Sequence, residues 1–247
     1  MNNSPEVRAE FLSHLEIEDR MAKSSIVYLP LGAIEFHGPH LPTGLDGLTA
    51  HGVCVAAAKV TGGIVLPTIY QGTGGEHSNY PWTLMMPTGH GLGENVRAML
   101  ARLEELGVES TVVLSGHFAD EQRALLKELA DSWSADQSAK MRLTTRSMAD
   151  CDEAPVAPDH AGVFESLLLA AIHPDLVHVN RLPESAANPS VDPEDDPFGS
   201  HRHKKDHALW GVFGPDPRSI ELKDSAPLLD ALVSWLAGLA SLERDRS

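Results

Sequence analysis

Ser25-Ile26-Val27-Tyr28-Leu29-Pro30-Leu31-Gly32-Ala33-Ile34-Glu35-Phe36-His37-Gly38-Pro39-His40-Leu41-Pro42-Thr43-Gly44-Leu45-Asp46 decides the fold. It opens with an unbroken apolar run of strand length and ends in a turn crowded with Glu, His and Asp. An apolar run of this kind is what a strand buried on both faces looks like, and such strands belong to parallel sheets covered by helices. If the chain stays extended past residue 31, Glu35 and His37 leave the same face, about 7 Å apart along the strand. Gly38, Pro39, Pro42 and Gly44 then form a rigid turn able to bring Asp46 back toward them. Three nitrogen and oxygen donors would thus come from twelve consecutive residues, a set that suits a divalent cation. A plain polar surface turn is the alternative, since Glu, His and Asp are ordinary loop residues.

Working outward, short β-rich runs at 25–31, 63–68, 111–114 and 141–148 alternate with helical patterns at 46–60, 93–106 and 121–134. This alternation predicts an α/β fold, a three-layer α/β/α sandwich with a mostly parallel central sheet. In 93–106, Val96, Met99, Leu100, Leu103 and Leu106 recur at helical spacing, and Gly107 supplies the stop. A polar cluster follows each of the first three strands: Glu35 and His37, then Glu76 and His77, then Ser115-Gly116-His117. Ligands of open α/β sheets gather beyond the carboxyl ends of the strands, so these clusters are expected to share one crevice. Residues 183–219 are rich in Pro, Asp, Ser and Gly and read as a long loop region, and 227–242 resumes a helical apolar pattern. The whole of 1–247 reads as one domain with an elaborated C-terminal half.

Composition narrows the partners. The chain has 247 residues, enough for a substantial core. A formal net charge of −16 repels phosphate backbones and anionic lipid, so nucleic acid is not an expected partner. The N-terminal residues lack the basic and apolar regions of an export signal, and no run of eighteen apolar residues exists to span a membrane. Cys54 and Cys151, two cysteines in a chain this long, read as reduced thiols of a cytoplasmic protein.

Three further segments carry chemistry. Ser115-Gly116-His117-Phe118 lies where a buried strand should meet a helix, with His117 placed to be a ligand or a capping residue. Tyr70-Gln71-Gly72-Thr73-Gly74-Gly75-Glu76-His77-Ser78-Asn79-Tyr80-Pro81-Trp82-Thr83 is Gly-rich without P-loop spacing and reads as a loop facing a substrate or as a flexible connection. Asp159-His160-Ala161-Gly162-Val163-Phe164-Glu165-Ser166 precedes the apolar helix expected over 167–172 and joins a carboxylate to an imidazole that titrates near neutrality. Glu165 in the first turn could reach His160 or a cation, or simply favour the helix dipole. The tract His201-Arg202-His203-Lys204-Lys205-Asp206-His207 looks like a metal motif, but its lysines would repel a cation, so it reads as a solvated or oligomer-contacting loop. Tyr80, Trp82, Phe118 and Trp210 are candidates for an aromatic wall or for packing.

In order along the chain, these segments resemble the creatininase (creatinine amidohydrolase) family. Residues 30–46 are nearly its first signature. Gly72, Glu76-His77 and Pro81-Trp82-Thr83 resemble its second. Ser115-Gly116-His117 answers to its Asn-Gly-His, His160-Ala161-Gly162 with Glu165-Ser166 to a later motif, and residues 211–217 to its last. The resemblance implies an α/β/α sandwich, one or two divalent cations per chain (zinc or manganese, with iron a further candidate), and hydrolysis of a cyclic or acyclic amide of a small molecule. It also implies a homo-oligomer, hexamers among the family's forms. Carried over by position, Glu35 and His117 would bind one cation, His37 the other, and Asp46 would bridge them. His160 would shuttle the proton, oriented by Asp159, while His40 gains no ligand role.

The chain departs from the pattern at Ala119, where creatininase has a ligating Glu two residues after the metal-binding His. Asp120, Glu121 or Glu165 could replace it, and Glu165 is favoured because its motif position is retained. Ser115 for Asn, and Phe118-Ala119-Asp120 for Gly-Gly-Asn, argue against creatininase activity itself. Deformylation, cyclic-ketone hydrolysis, peptide processing or non-catalytic metal or metabolite binding on the same fold stay open.

Overall fold

The computed structural model describes residues 5–193 and 196–242. The first parallel strand, β1, is Ile26–Gly32, and every one of its residues is buried. Its neighbours explain that burial. β6 (Ser110–Ser115) pairs along the length of β1 on one side, and β7 (Arg142–Ser147) adds outside β6, all parallel. On the other side lie two fragments, β2 (Ile64–Val65) beside Val27 and Tyr28, and β3 (Ile69–Tyr70) beside Leu31 and Gly32. Of the single strand expected over 63–68 only Ile64–Val65 forms, and the sheet edge resumes beyond it at Ile69–Tyr70. Pro67 stands at the break, and a residue without an N–H cannot serve a sheet ladder there. A second small sheet pairs β4 (Gly72–Thr73) with β5 (Met85–Met86).

Side chains of β1 alternate between two cores, as the pleat requires. Ile26 and Tyr28 face α2 (Leu45–Thr61), α5 (Val163–Ile172) and α6 (Ser225–Leu242). Val27, Leu29 and Leu31 face α3 (His90–Glu105) and α4 (Asp120–Ala135), with α1 (His14–Met21) at that core's margin. Val112 and Leu114 of β6 go to the first core and Val113 to the second. Helices thus cover both faces of the sheet, giving the α/β/α sandwich. Helix ends follow local signals: Ser13 and Glu16 form a capping box on α1, and Gly62 in the left-handed region closes α2. Cys54 and Cys151 are buried free thiols. Among the described residues no helix is long and apolar enough to cross a membrane.

Two glycines bring α2 onto the sheet's carboxyl end. A Cβ on Gly32 would stand 2.2 Å from the Gly47 nitrogen, and one on Gly116 would stand 2.0 Å from the Asp46 carbonyl oxygen. With hydrogen at both positions, the first turn of α2 seats directly on the ends of β1 and β6. Asp46 is thereby delivered to the space just beyond those strands.

Candidate metal centre

Beyond the ends of β1 and β6, Glu35, His37, Asp46, His117 and Glu165 converge, each no more than 5 % exposed. Glu35 and His37 come from the segment after β1, Asp46 from the start of α2, His117 from just past β6, and Glu165 from the first turn of α5. His117 Nδ1 lies 2.9 Å from Glu35 Oε2 and 3.5 Å from Asp46 Oδ2. His37 Nε2 lies 3.0 Å from Asp46 Oδ1 and 3.4 Å from Glu165 Oε2. Three groups of donor atoms within 4.8 Å result, Glu35/Asp46/His117, His37/Asp46/Glu165 and Glu35/His37/His160, and the first two share Asp46, whose Oδ2 lies by His117 and Oδ1 by His37.

The outer nitrogens of the histidines fix which atom faces inward. His37 Nδ1–H donates to the Glu35 carbonyl at 3.0 Å, and His117 Nε2–H donates to the Thr73 carbonyl at 3.2 Å. A carbonyl can only accept, so the inward His37 Nε2 and His117 Nδ1 are the lone-pair nitrogens of the neutral rings, the usual arrangement of metal-ligating histidines. His37 Nε2 is fully buried and has no hydrogen-bond partner of acceptable geometry among the described residues, although two carboxylate oxygens flank it. A lone pair aimed between two anions requires a cation or a proton. In the absence of a metal ion a proton fills that role: against burial, Glu165 and Asp46 pull the His37 imidazole up to about 10. Burial likewise opposes, and Asp46 and Glu35 outweigh it, in raising His117 well above its ordinary value. Hard carboxylates with imidazoles fit zinc or manganese.

The Ala119 departure has a geometric answer. Asp120 projects fully into solvent, and Glu121 accepts from the Gly75 N–H at 3.2 Å, leaving neither in the centre. Of the three carboxylates, Glu165 alone places an oxygen beside His37. Its Oε2 also accepts from the Ala161 N–H at 2.6 Å. Ala161 adopts φ +56°, a strained conformation for a residue with a Cβ, and His40 Nε2–H holds its carbonyl at 2.9 Å. His40 thus supports the centre without joining it.

His160 sits above these groups. Its ring lies 4.1 Å from that of His77 and 4.5 Å from that of His37, close to parallel with both. His160 Nε2–H donates to the Phe36 carbonyl at 2.9 Å, which leaves Nδ1 as its free base. Burial, then the neighbouring His77 and His37, lowers its basicity well below the ordinary range. The expected orientation by Asp159 is corrected here: that carboxylate is spent on the start of α5, accepting from the N–H groups of Gly162, Phe164 and Glu165 at 3.2, 3.0 and 3.3 Å. Unpaired N–H groups at a helix start are the stronger claim on a buried carboxylate. Burial raises the Asp159 carboxyl to about 6 against those N–H groups.

One member was named in the sequence reading without a role in the centre. His77 donates from Nδ1 to Glu35 Oε1 at 2.5 Å, so Glu35 carries an imidazole on each oxygen. Its cluster after the second strand was expected in the shared crevice, and its Gly-rich segment to face a substrate or be a flexible connection, but no partner was assigned to its ring; the side chain of the adjacent Glu76 lies outside the described residues. Phe36, Tyr80 and Trp210 form a stacked aromatic group beside the centre, with centroids 4.9 to 5.4 Å apart. Phe118 instead turns into the core, edge-on to Phe164, and Trp82 is 80 % exposed.

Fold and centre together define a class: an α/β/α sandwich with a buried carboxylate and imidazole centre at the carboxyl ends of parallel strands. The chain belongs to the creatininase family, whose model, described as creatinine amidohydrolase, matches residues 10–240. It is 27 % identical over 198 residues to the creatinine amidohydrolase of Pseudomonas putida, covering 69 % of this chain and 74 % of that one. It is 29 % identical over 182 residues to the mycofactocin precursor peptide peptidase of Mycobacterium ulcerans (strain Agy99), covering 66 % of this chain and 64 % of that one. A crystal structure of creatinine amidohydrolase superposes with a TM-score of 0.79 at 24 % identity, over 97 % of this chain and 98 % of the other. A manganese creatininase structure gives 0.77 at 23 % identity, over 98 % and 99 %.

Proposed function

We propose that the protein is a metal-dependent hydrolase that cleaves a C–N bond in a small cyclic or acyclic amide. The observation that carries this reading is the buried His37 Nε2, partnerless between two carboxylates, with Asp46 shared by two donor groups. Glu35, Asp46 and His117 would hold one divalent cation, and His37, Asp46 and Glu165 a second. Such ions, when bound, supply an activated water and polarise the substrate carbonyl. Glu35 is kept ionised by its histidine neighbours although burial opposes this, so it serves as an anionic ligand. His160, neutral and held by the Phe36 carbonyl, takes a proton at Nδ1 from the attacking water and returns it to the leaving nitrogen. His77 keeps Glu35 in place and stacks beneath His160.

A peptide amide is the second reading. It is favoured by the exposed Trp82 and Leu84, which lie on the segment bonded to the end of β1 through Thr83 Oγ1 to the Phe36 N–H and the Leu84 N–H to the Ile34 carbonyl. The test is a panel of amides, lactams and short peptides offered to protein reloaded with manganese or zinc after chelation. Turnover by the wild type that disappears in His117→Ala supports the proposal. Equal behaviour of the two proteins, or silence of the reloaded wild type across the panel, overturns it.

A further inference from the structure

Arg202 lies in a tract expected to be a solvated or oligomer-contacting loop, and for Arg202 the structure corrects the solvated reading: it is 1 % exposed, the largest fully buried side chain among the described residues. Its guanidinium is used on two sides. Nη1 donates to the carbonyls of Val212 at 2.9 Å and Gly214 at 3.1 Å, while Nε and Nη2 grip the two oxygens of Asp192 at 2.9 and 2.5 Å. The residue between those carbonyls is Phe213. Its backbone exchanges both hydrogen bonds with His160, N–H to carbonyl in each direction at 2.8 Å, and its ring lies 5.2 Å from that of His77, close to parallel.

We propose that Arg202 is a positioning residue for His160, acting through the 212–214 backbone. This rests on the reading of His160 as the proton carrier. The guanidinium fixes the carbonyls on either side of Phe213, Phe213 fixes the His160 main chain, and the ring is then set between His37 and His77 with Nε2–H on the Phe36 carbonyl. Only a planar fork with several donors spans two carbonyls and a carboxylate together, so lysine cannot take its place.

Asp192 balances the buried charge. Its carboxyl is held at about 2, by Arg202 first, against burial, with His201 helping. His201 Nε2–H also donates to Asp192 at 2.7 Å, and His207 Nε2 lies 3.2 Å from the same oxygen. This group brings three potential ligand atoms within 4.8 Å of one another, as a metal site would. His207 Nδ1 accepts the Leu209 N–H at 3.1 Å, so Nε2 carries the ring's proton and has no lone pair to give a cation. The cluster is a clasp on the 192–214 segment.

The experiment compares wild type, Arg202→Lys and Asp192→Asn as manganese-loaded proteins. Three readouts are taken: cation content, the imidazole nitrogen spectrum of His160 assigned by subtraction with His160→Gln, and kcat and KM on whichever amide the wild type turns over. Arg202→Lys is expected to keep its cations, because their ligands come from other elements, and to lose the fixed Nε2–H signal of His160. Its kcat should fall about 100-fold with KM within about twofold, the scale of a misplaced catalytic group. Asp192→Asn should shift both readouts in the same direction, with kcat down about tenfold, and it decides the matter if Arg202→Lys does not fold. A folded variant with an unchanged His160 spectrum or unchanged kcat overturns the proposal, as does loss of cations in step with kcat. If the wild type turns over no amide, the hydrolase reading fails, and the His160 spectrum with the cation content still decides whether Arg202 positions the ring.

Discussion

His37 holds one ring nitrogen against the Glu35 carbonyl and points the other between Asp46 and Glu165, so proton and cation compete for one place. Its pKa is raised from 6.5 to about 10 in the folded, metal-free chain. The stability this proton contributes is complete below about pH 6.5 and drains away as pH rises toward about 10. Melting temperatures of the metal-free protein are expected to fall across that window and those of the manganese-loaded protein to stay level; parallel curves would refute the competition. On the proposed two-cation centre, Glu165→Gln should bind one cation per chain and the wild type two, counted by elemental analysis. His160→Gln should keep both cations and lose about 10²- to 10⁴-fold in kcat, the usual contribution of a positioned acid–base group. Glu35, His37, Asp46, His117 and Glu165 were singled out in sequence because they follow an apolar strand or open a helix and match the family's motifs. The bond from His77 to Glu35 was not legible, since a histidine in a Gly-rich loop has no period to say which side chain it meets. Nor was the role of Asp159, because a carboxylate beside a histidine looks the same whether it serves the ring or the helix behind it.

At the scale of elements, the decisive contact is the first turn of α2 on the ends of β1 and β6, allowed by Gly32 and Gly116. Gly116→Ala places a methyl against the Asp46 backbone carbonyl, which cannot retreat without moving Asp46. A loss of about 1–3 kcal/mol in unfolding free energy and a drop in cation content are expected together, from denaturant titration and metal analysis. Gly238→Ala in α6, where a Cβ meets nothing within 4 Å, should instead leave cation content alone and stabilise by about 0.5–1 kcal/mol. The long helices and the β1, β6 and β7 strands were legible from periodicity alone, to within a few residues of their ends. The divided edge of β2 and β3 was not, because an apolar run conceals the one residue, Pro67, that interrupts its hydrogen bonding. The 183–219 region was read as loop from its composition, and composition says nothing of a buried arginine, set in the short 3-10 helix Ser200–His203, that organises the segment.

For the molecule as a whole, the formal charge of −16 surrounds a centre that calls for cations. Cation uptake should therefore be fastest at low ionic strength and slow as salt is added, measured by stopped-flow competition with a chromophoric chelator. At a free cation concentration 100 times Kd, each filled site should raise unfolding free energy by about 2.7 kcal/mol. The donors are drawn from residues 35, 37, 46, 117 and 165, and the ring above them is fastened by residues 202 and 213. A chain emerging from the ribosome in order exposes Glu35, His37 and Asp46 long before their partners exist. On the proposed reading, those three could hold an ion only loosely during synthesis, so a full site would form only in the finished chain.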